Sequence, residues 1–267
     1  MADTVLYEVS DGLATITLNR PEAMNALNVA AKVALRDAVR AAGDDEGVRA
    51  VLLTAAGDRA FCVGQDLKEH IGLLVADRED GGGRTMSTVH EHYNPIVKAL
   101  AGAAKPVVAA VNGVAAGAGF GFALAADYRI VADTAAFNTS FAGVALTADS
   151  GISWTLPRVV GPSRATDLLL FPRSITAQEA YDLGIANRLV PAAELRAEAE
   201  KTARALAAGP TVAYAALKES VAYGLTHSLE EALEKEDELQ TRAGASEDHT
   251  IAVQAFVDKE KPKYRGR

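Results

Sequence analysis

The chain has 267 residues, of which 49% are hydrophobic and 23% charged, a composition typical of a globular protein rather than a disordered one. Its formal net charge of -8 argues against a nucleic-acid partner. The single cysteine, Cys62, excludes an intramolecular disulfide framework, and no stretch approaches the roughly 18 apolar residues of a membrane span, so we expect a cytoplasmic protein with no membrane partner.

The N-terminal part predicts strands and a helix in alternation. Residues 5–9 and 13–18 are short β-prone runs on either side of an Asp-Gly turn, and together they predict a hairpin. Asn28 fits the N-cap of a helix over 29–42 that Gly43 closes. A buried strand follows, and this strand-helix-strand order predicts parallel pairing with a right-handed crossover.

A loop with backbone N–H groups available to a ligand is predicted after that strand. It covers residues 57–69, with Gly64 at its tight point and Asp66 placed to cap the next helix. Residues 77–84 are charged and then glycine-rich, and they predict a mobile surface loop. Residues 85–104 predict a helix with a break or a kink at its internal proline.

The stretch that follows predicts a strand, a tight turn and the start of a helix. Residues 107–111 form a short apolar run typical of a buried strand. Gly117, Gly119 and Gly121 alternate with small residues and lead into a compact helix from Phe122. The first N–H groups of a helix lack internal partners, and small side chains let a ligand oxygen approach them. The alternative is that these glycines only allow close packing of the helix on a sheet.

The remainder of the chain is mostly helical. An irregular segment over 136–151 precedes a short helix over 152–160. Further candidate helices cover 163–171, 176–183, 192–208, 210–223, 228–243 and 247–260. We therefore divide the chain into an α/β core over 1–190 and a helical C-terminal region over 191–267.

Two motifs resemble the signature loops of a known family. Residues 61–69, Phe-Cys-Val-Gly-Gln-Asp-Leu-Lys-Glu, look like the first signature loop of the crotonase (enoyl-CoA hydratase/isomerase) superfamily, and residues 112–120, Asn-Gly-Val-Ala-Ala-Gly-Ala-Gly-Phe, resemble the second. Supporting matches at 19–27, 176–186 and 256–259 extend the resemblance over nearly the whole chain. The resemblance implies an α/β crotonase (ClpP-like) spiral of stacked ββα units with a C-terminal helical trimerisation region, assembled as a homotrimer or hexamer.

The resemblance also implies an acyl-CoA thioester substrate and assigns site residues. The thioester oxygen would lie between the backbone N–H groups of Val63 and Ala118, each worth roughly 3 kcal/mol to a developing oxyanion. Adenine and pantetheine contacts are assigned to Asn25, Ala26, Leu27, Ala60, Gln65, Asp66 and Leu67, and contacts to the nucleotide of a neighbouring subunit to Phe256 and Lys259. No separate cofactor is implied, because coenzyme A is part of the substrate, and no metal is implied.

The sequence departs from the hydratases of this family at the two catalytic carboxylates. These enzymes hold and split a water between two glutamates, which the resemblance places at Gly121 and Phe141 here. One acidic residue, Asp149, remains nearby, and it fits either a helix N-cap or a catalytic acid–base residue. Its surroundings resemble the branch that includes 1,2-epoxyphenylacetyl-CoA isomerase and related enoyl-CoA isomerases, in which one carboxylate moves a proton between two carbons. The 4-chlorobenzoyl-CoA dehalogenases also carry an aspartate at this place.

We therefore predict an enoyl-CoA isomerase with Asp149 as its acid–base residue. The alternatives are an enoyl-CoA hydratase that activates water with a group not yet identified, and a member that binds acyl-CoA without chemistry. The histidines show no spacing typical of metal ligands and are expected on the surface or in packing. If His90 or His92 lined the acyl pocket, the dehalogenase-like alternative would gain support.

Overall fold

Two β-sheets form the centre of the computed structural model, which describes residues 3–81 and 84–267. The strands are β1 (Val5–Ser10), β2 (Leu13–Leu18), β3 (Ala50–Ala55), β4 (Ala60–Cys62), β5 (Val107–Val111), β6 (Val114–Ala116), β7 (Tyr128–Ala132), β8 (Ala136–Asn138), β9 (Ile175–Thr176) and β10 (Arg188–Val190). The larger sheet has the order β1-β2-β3-β5-β7-β10 and the smaller the order β4-β6-β8-β9. Only the pairs β1–β2 and β8–β9 are antiparallel among these described strands.

Helices pack against both sheets. They are α1 (Val29–Asp44), α2 (Leu67–Asp80), α3 (Asn94–Ala101), α4 (Ala118–Ala125), α5 (Ile152–Val160), α6 (Pro162–Leu170), α7 (Ala177–Asp182), α8 (Leu195–Ala207), α9 (Thr211–Gly224), α10 (Leu229–Gly244) and α11 (Glu247–Asp258). A π-helix, Val89–Tyr93, runs directly into α3. In the described ranges, no helix is both long enough and apolar enough to cross a membrane.

A unit of two strands and a helix repeats along the chain. The sets β3–β4–α2, β5–β6–α4 and β7–β8–α5 each give one strand to the larger sheet, one to the smaller sheet and then a helix. The N-terminal hairpin and the parallel pairing of β2 with β3 across α1 also form as predicted. This repetition confirms the predicted fold class, a spiral of stacked ββα units followed by C-terminal helices.

Every residue of α4 is buried. A helix that is apolar on all sides belongs in the interior of a protein. The closest approach is at Gly119, where a Cβ atom would lie 2.2 Å from the Cys62 carbonyl oxygen. Gly119 therefore serves close packing against β4, and packing and ligand access are not exclusive alternatives in this stretch.

The predicted end of α1 is wrong. Gly43 lies inside this helix, which continues to Asp44. The buried Lys105 ammonium donates hydrogen bonds of 2.9 and 2.8 Å to the Ala42 and Asp45 carbonyl oxygens. These bonds satisfy carbonyl groups at the helix end from outside the helix, so the left-handed glycine cap that the sequence predicted is not needed.

Two further predicted boundaries are also corrected. The helix expected from Phe122 begins at Ala118, because Gly117 adopts a left-handed φ of 52° as its N-cap. Residues 77–80 of the loop predicted over 77–84 form the last turn of α2, Gly81 is its C-cap, and residues 82 and 83 lie outside the described residues. Within 85–104, the helix expected to break or kink at its proline instead changes type, from the π-helix to α3, and the proline lies in the first turn of α3.

Alanine substitutions at two glycines should have opposite effects on stability. In Gly119→Ala the new Cβ atom meets the Cys62 carbonyl oxygen, and we expect the free energy of unfolding to fall by roughly 3 kcal/mol. In Gly43→Ala the new atom has no neighbour within 4 Å on an exposed helix position, and we expect a gain of about 0.5 to 1 kcal/mol. Urea denaturation measures both changes, and equal stability of the two variants would contradict the packing described.

Candidate active site

The loop after β4 meets the first residue of α4. Val63 follows β4 directly, and Ala118 begins α4. Gly64, with a φ of 82°, turns the loop so that a Cβ atom there would lie 3.3 Å from the Ala118 nitrogen. Among the backbone hydrogen bonds of turns, loops and helix caps in the described part of the chain, none is donated by the Val63 N–H or by the Ala118 N–H. A glycine at position 64 therefore keeps the space beside the Ala118 amide open.

Backbone and side-chain bonds hold this loop in place. The Leu27 N–H donates to the Gly64 carbonyl oxygen at 2.8 Å, and the Asp66 N–H donates to the Leu27 carbonyl oxygen at 3.1 Å. The Asp66 carboxylate caps α2 and pairs with Arg20 at 2.9 Å. Burial raises the pKa of Asp66, but the Arg20 guanidinium and the N–H groups of α2 outweigh burial and leave the pKa below its usual range.

The predicted coenzyme A contacts of the N-terminal part lie on or beside this loop: Asn25, Ala26, Leu27, Ala60, Gln65, Asp66 and Leu67. Asn25 has a left-handed φ of 54°, and its side-chain amide donates to the carbonyl oxygens of Ala56 and Ala60. The Ala26 carbonyl oxygen accepts a bond of 2.6 Å from Arg20, and the Leu27 side chain is fully buried. Leu67, by contrast, is exposed.

The two predicted C-terminal contacts belong to α11 and its C-cap rather than to this loop. Phe256 is on α11 with 85% of its surface exposed, and Lys259 is the left-handed C-cap of that helix. Neither side chain has a hydrogen bond or ion pair with the described residues of the loop. Within one chain, Lys259 therefore makes no polar contact with the described residues of the loop.

Asp149 lies in the loop before α5, beside α4. Its carboxylate accepts a hydrogen bond of 2.8 Å from the Ser150 hydroxyl, and the N-cap of α5 is Gly151, which has no side-chain cap. The N-cap interpretation of Asp149 is therefore wrong. A Cβ atom at Gly121 would lie 2.5 Å from the Ser150 carbonyl oxygen, so the Asp149 loop packs directly on α4. Burial raises the pKa of Asp149, opposed by the Ser150 bond and by the charge of Lys32.

Lys32 is a polar residue of this region that sequence reasoning missed. Its side chain has an exposed fraction of 0%, and its ammonium donates to Gln65 Oε1 at 2.6 Å and to Thr88 Oγ1 at 2.7 Å. Burial lowers its pKa to about 8, although the negative charges of Glu69 and Asp149 act in the opposite direction. The sequence did carry an indication, because position 32 falls in the buried stripe 32, 35, 39 and 42 of α1.

The π-helix places further polar groups beside Lys32. The Tyr93 hydroxyl donates to Gln65 Oε1 at 2.6 Å, and its ring packs edge-on against Phe122 at 6.0 Å. Thr88 Oγ1 lies 3.2 Å from His92 Nδ1, and burial and the Lys32 charge lower the pKa of His92. His90 is exposed, so of the two histidines considered above only His92 joins this network. One extra residue per turn, as in a π-helix, is frequent at functional sites.

Comparisons with known proteins identify the family of this chain. A family model described as enoyl-CoA hydratase/isomerase matches residues 8–267. The chain is 43% identical to a probable enoyl-CoA hydratase of Rhodobacter capsulatus, over 99% of this chain and 98% of that protein. It is 37% identical to the 1,2-epoxyphenylacetyl-CoA isomerase of Escherichia coli over the full length of both. A crystal structure from Mycobacterium abscessus, described as an enoyl-CoA hydratase/isomerase, superposes with a TM-score of 0.94 at 45% identity, over 98% of this chain and 100% of that one.

Removal of the Asp149 charge should stabilise the folded protein above the pKa of Asp149. Because burial raises this pKa in the folded state, the protonated form contributes stability that is lost as the pH rises through the folded pKa. We therefore expect Asp149→Asn to have a higher free energy of unfolding than wild type at pH 8. The advantage should shrink as the pH is lowered through the pKa of Asp149.

Urea denaturation over a pH series measures this difference. The exposed Asp237→Asn provides the control, with stability close to wild type at every pH. A wild type that is more stable than Asp149→Asn at pH 8 would show that the carboxylate is not penalised by its surroundings.

Proposed function

The chain belongs to the enoyl-CoA hydratase/isomerase (crotonase) family, and from that premise we propose that it is an enoyl-CoA isomerase in which Asp149 moves the proton. The substrate is an acyl-CoA thioester whose carbonyl oxygen accepts hydrogen bonds from the Val63 and Ala118 N–H groups. The reaction needs no separate cofactor, because coenzyme A is part of the substrate.

The proposed reaction shifts a double bond through a dienolate. The Asp149 carboxylate takes a proton from C2 of a 3-enoyl-CoA, and the electron pair of that C–H bond delocalises onto the thioester oxygen. The Val63 and Ala118 N–H groups stabilise this negative charge more strongly than they stabilise the neutral carbonyl. Protonated Asp149 then returns the proton to C4, and the double bond lies between C2 and C3. One carboxylate suffices, since it is regenerated at the end.

The packing beside Gly121 is the observation that carries this proposal. Water addition in this family uses two carboxylates, the first at the position of Gly121. Here the space next to Gly121 is taken by Ser150, whose Cβ atom would lie 2.6 Å from a Cβ atom at Gly121. The second position holds Phe141, which is buried. This arrangement supports a reaction with a single acid–base residue.

Enoyl-CoA hydration remains the second candidate, because the relative at 43% identity is named a probable hydratase. It requires a base other than the family's glutamates. Glu69 accepts a hydrogen bond of 2.9 Å from the Val29 N–H at the start of α1, so its carboxylate already stabilises that helix end. The third alternative is a family member that binds acyl-CoA but catalyses no reaction. The activity assay described below tests this alternative.

We further propose that the protein is a cytoplasmic homotrimer or hexamer. The C-terminal helices expose apolar side chains that an assembly would bury, namely Leu217, Val221, Leu225, Leu229, Leu233, Val253, Phe256 and Val257. In such an assembly Phe256 and Lys259 reach the nucleotide of a coenzyme A bound to a neighbouring subunit. This role accounts for an aromatic ring and an ammonium that are exposed in the single chain.

Asp149→Asn should slow double-bond migration strongly. General acid–base catalysis contributes roughly 10²- to 10⁴-fold, and we expect a loss of kcat in that range with little change in KM. The assay supplies a 3-enoyl-CoA and, separately, a 2-enoyl-CoA, and follows migration and formation of 3-hydroxyacyl-CoA. Asp237→Asn should retain wild-type rates.

Two outcomes would contradict the proposal. Hydration that survives in Asp149→Asn favours the hydratase and a different base. If the wild type binds the thioesters but turns over neither, the non-catalytic alternative gains support.

Lys259→Ala should weaken only the contacts that the protein makes with the nucleotide part of coenzyme A. We expect KM for an enoyl-CoA to rise about tenfold, the equivalent of roughly 1.4 kcal/mol, because an ammonium–phosphate contact is lost. KM for the matching enoyl-pantetheine thioester, which lacks the nucleotide, should stay unchanged. Lys263→Ala, another exposed lysine of the C-terminal segment, is the control. An equal change in KM for both thioesters would exclude the proposed nucleotide contact.

A further inference from the structure

A fully buried ammonium group at the candidate site has no counter-ion in direct contact. The direct hydrogen-bond partners of Lys32 are a carboxamide oxygen and a hydroxyl oxygen, and the Tyr93 ring lies 5.1 Å from its nitrogen. No carboxylate of the described residues lies within ion-pair distance of it. Burial of a charge without a paired charge is costly, so a lysine that only fills the core of α1 would be a poor choice at this position.

Hydrogen bonds from Lys32 and from Tyr93 converge on Gln65. Gln65 Oε1 accepts one bond from the Lys32 ammonium and one from the Tyr93 hydroxyl, both at 2.6 Å. These two donors use both lone pairs of the carboxamide oxygen and fix the plane of the side chain. Gln65 also pairs with Leu27 through a backbone bridge. Its backbone and its side chain are therefore held from two directions.

We propose that Lys32 is a positioning residue for the oxyanion hole: its buried ammonium fixes Gln65 and thereby the loop that carries the Val63 N–H. Val63 is two residues before Gln65, and Gly64 between them has a backbone conformation that side chains disfavour. A loop of this kind needs an external restraint to keep its N–H group aimed at one point. The inference rests on the proposed function, since it assumes that Val63 and Ala118 receive a thioester oxygen.

Surrounding negative charges favour the protonated form of Lys32, which makes the stronger hydrogen bond to Gln65. Burial lowers the pKa of Lys32 to about 8, and Glu69 on α2, Asp149 before α5 and Asp66 before α2 all favour the charged form. The ammonium is therefore mostly protonated at neutral pH. Hydrogen bonds from a charged donor are shorter and roughly twice as strong as those between neutral groups.

The test compares Lys32→Met with a matched control. Lys105 is also a buried lysine, with 6% of its surface exposed, and its ammonium donates to carbonyl groups at the opposite end of α1. Lys105→Met therefore removes a buried ammonium without touching the loop. Circular dichroism establishes that each variant is folded before further measurement.

The main readout does not depend on turnover. Infrared spectroscopy of bound butanoyl-CoA labelled with ¹³C at the thioester carbonyl reports the hydrogen bonds to that oxygen, because donors lower the C=O stretching frequency. We expect a downward shift on binding to the wild type, the same shift in Lys105→Met, and loss of about half of it in Lys32→Met. In the isomerase assay, Lys32→Met should lose roughly 10- to 100-fold in kcat while KM stays within about threefold.

The remaining outcomes separate failure of the inference from failure of the proposed function. A full carbonyl shift in Lys32→Met, or an equal loss in Lys105→Met, overturns the inference and leaves the isomerase proposal standing. No shift in the wild type overturns the oxyanion hole itself, and the inference with it. If Lys32→Met does not fold, Tyr93→Phe decides, because it removes one bond to Gln65 at nearly constant volume. A smaller loss of shift in Tyr93→Phe supports the inference, and an unchanged shift overturns it.

Discussion

The structure depends on how closely the backbone of α4 approaches its neighbours. At Gly119 the helix lies against β4, and at Gly121 it lies against the loop that carries Asp149. Neither contact leaves room for a side chain. Because one short helix makes both contacts, they fix the position of α4 relative to β4 and relative to the Asp149 loop at the same time. The same helix begins with the Ala118 N–H, so the geometry of the candidate oxyanion hole follows from packing in the core.

This constraint connects packing with chemistry. A glutamate at position 121 would require Ser150 to move away, and Ser150 itself has a left-handed φ of 51° in a buried loop. Strained backbone of this kind persists only when the surroundings enforce it. The loop therefore keeps its shape because α4 has no side chain there. The lack of a glutamate at position 121 and the position of Asp149 beside α4 therefore have one physical cause, the close contact between Gly121 and Ser150.

Much of the fold could be predicted from the sequence, because its main features are local. The hairpin follows from a turn dipeptide between two β-prone runs, and Asp66 caps α2 through its own side chain as expected. Other features depend on distant residues. Gly43 does not end α1 because Lys105, far along the chain, satisfies the helix end. Strands β4, β6, β8, β9 and β10 have two or three residues each, too few for a periodic pattern.

The candidate site likewise contains residues that the local sequence predicts and residues whose role depends on distant parts of the chain. Val63 and Ala118 could be proposed because a motif marks both, whereas Lys32 lies on α1, outside every motif, and acquires its partners only through folding. A buried lysine in an otherwise apolar stripe was visible in the sequence. Its meaning was not, since nothing local indicates that Gln65 and Thr88 come within reach of it.

The π-helix before α3 has a consequence for how this pocket can change during evolution. Residues 89–93 hold one residue more than an α-helical turn accommodates, and α3 after them is fixed by the buried Ile96 and Leu100. A π-helical turn is wider than an α-helical one and takes up the extra residue, so the helix on either side keeps nearly the rotation of an unbroken α-helix. Thr88 can therefore face Lys32 while Ile96 and Leu100 stay in the core. Gain or loss of one residue in this turn would thus change which side chains the turn presents to the pocket without repacking α3.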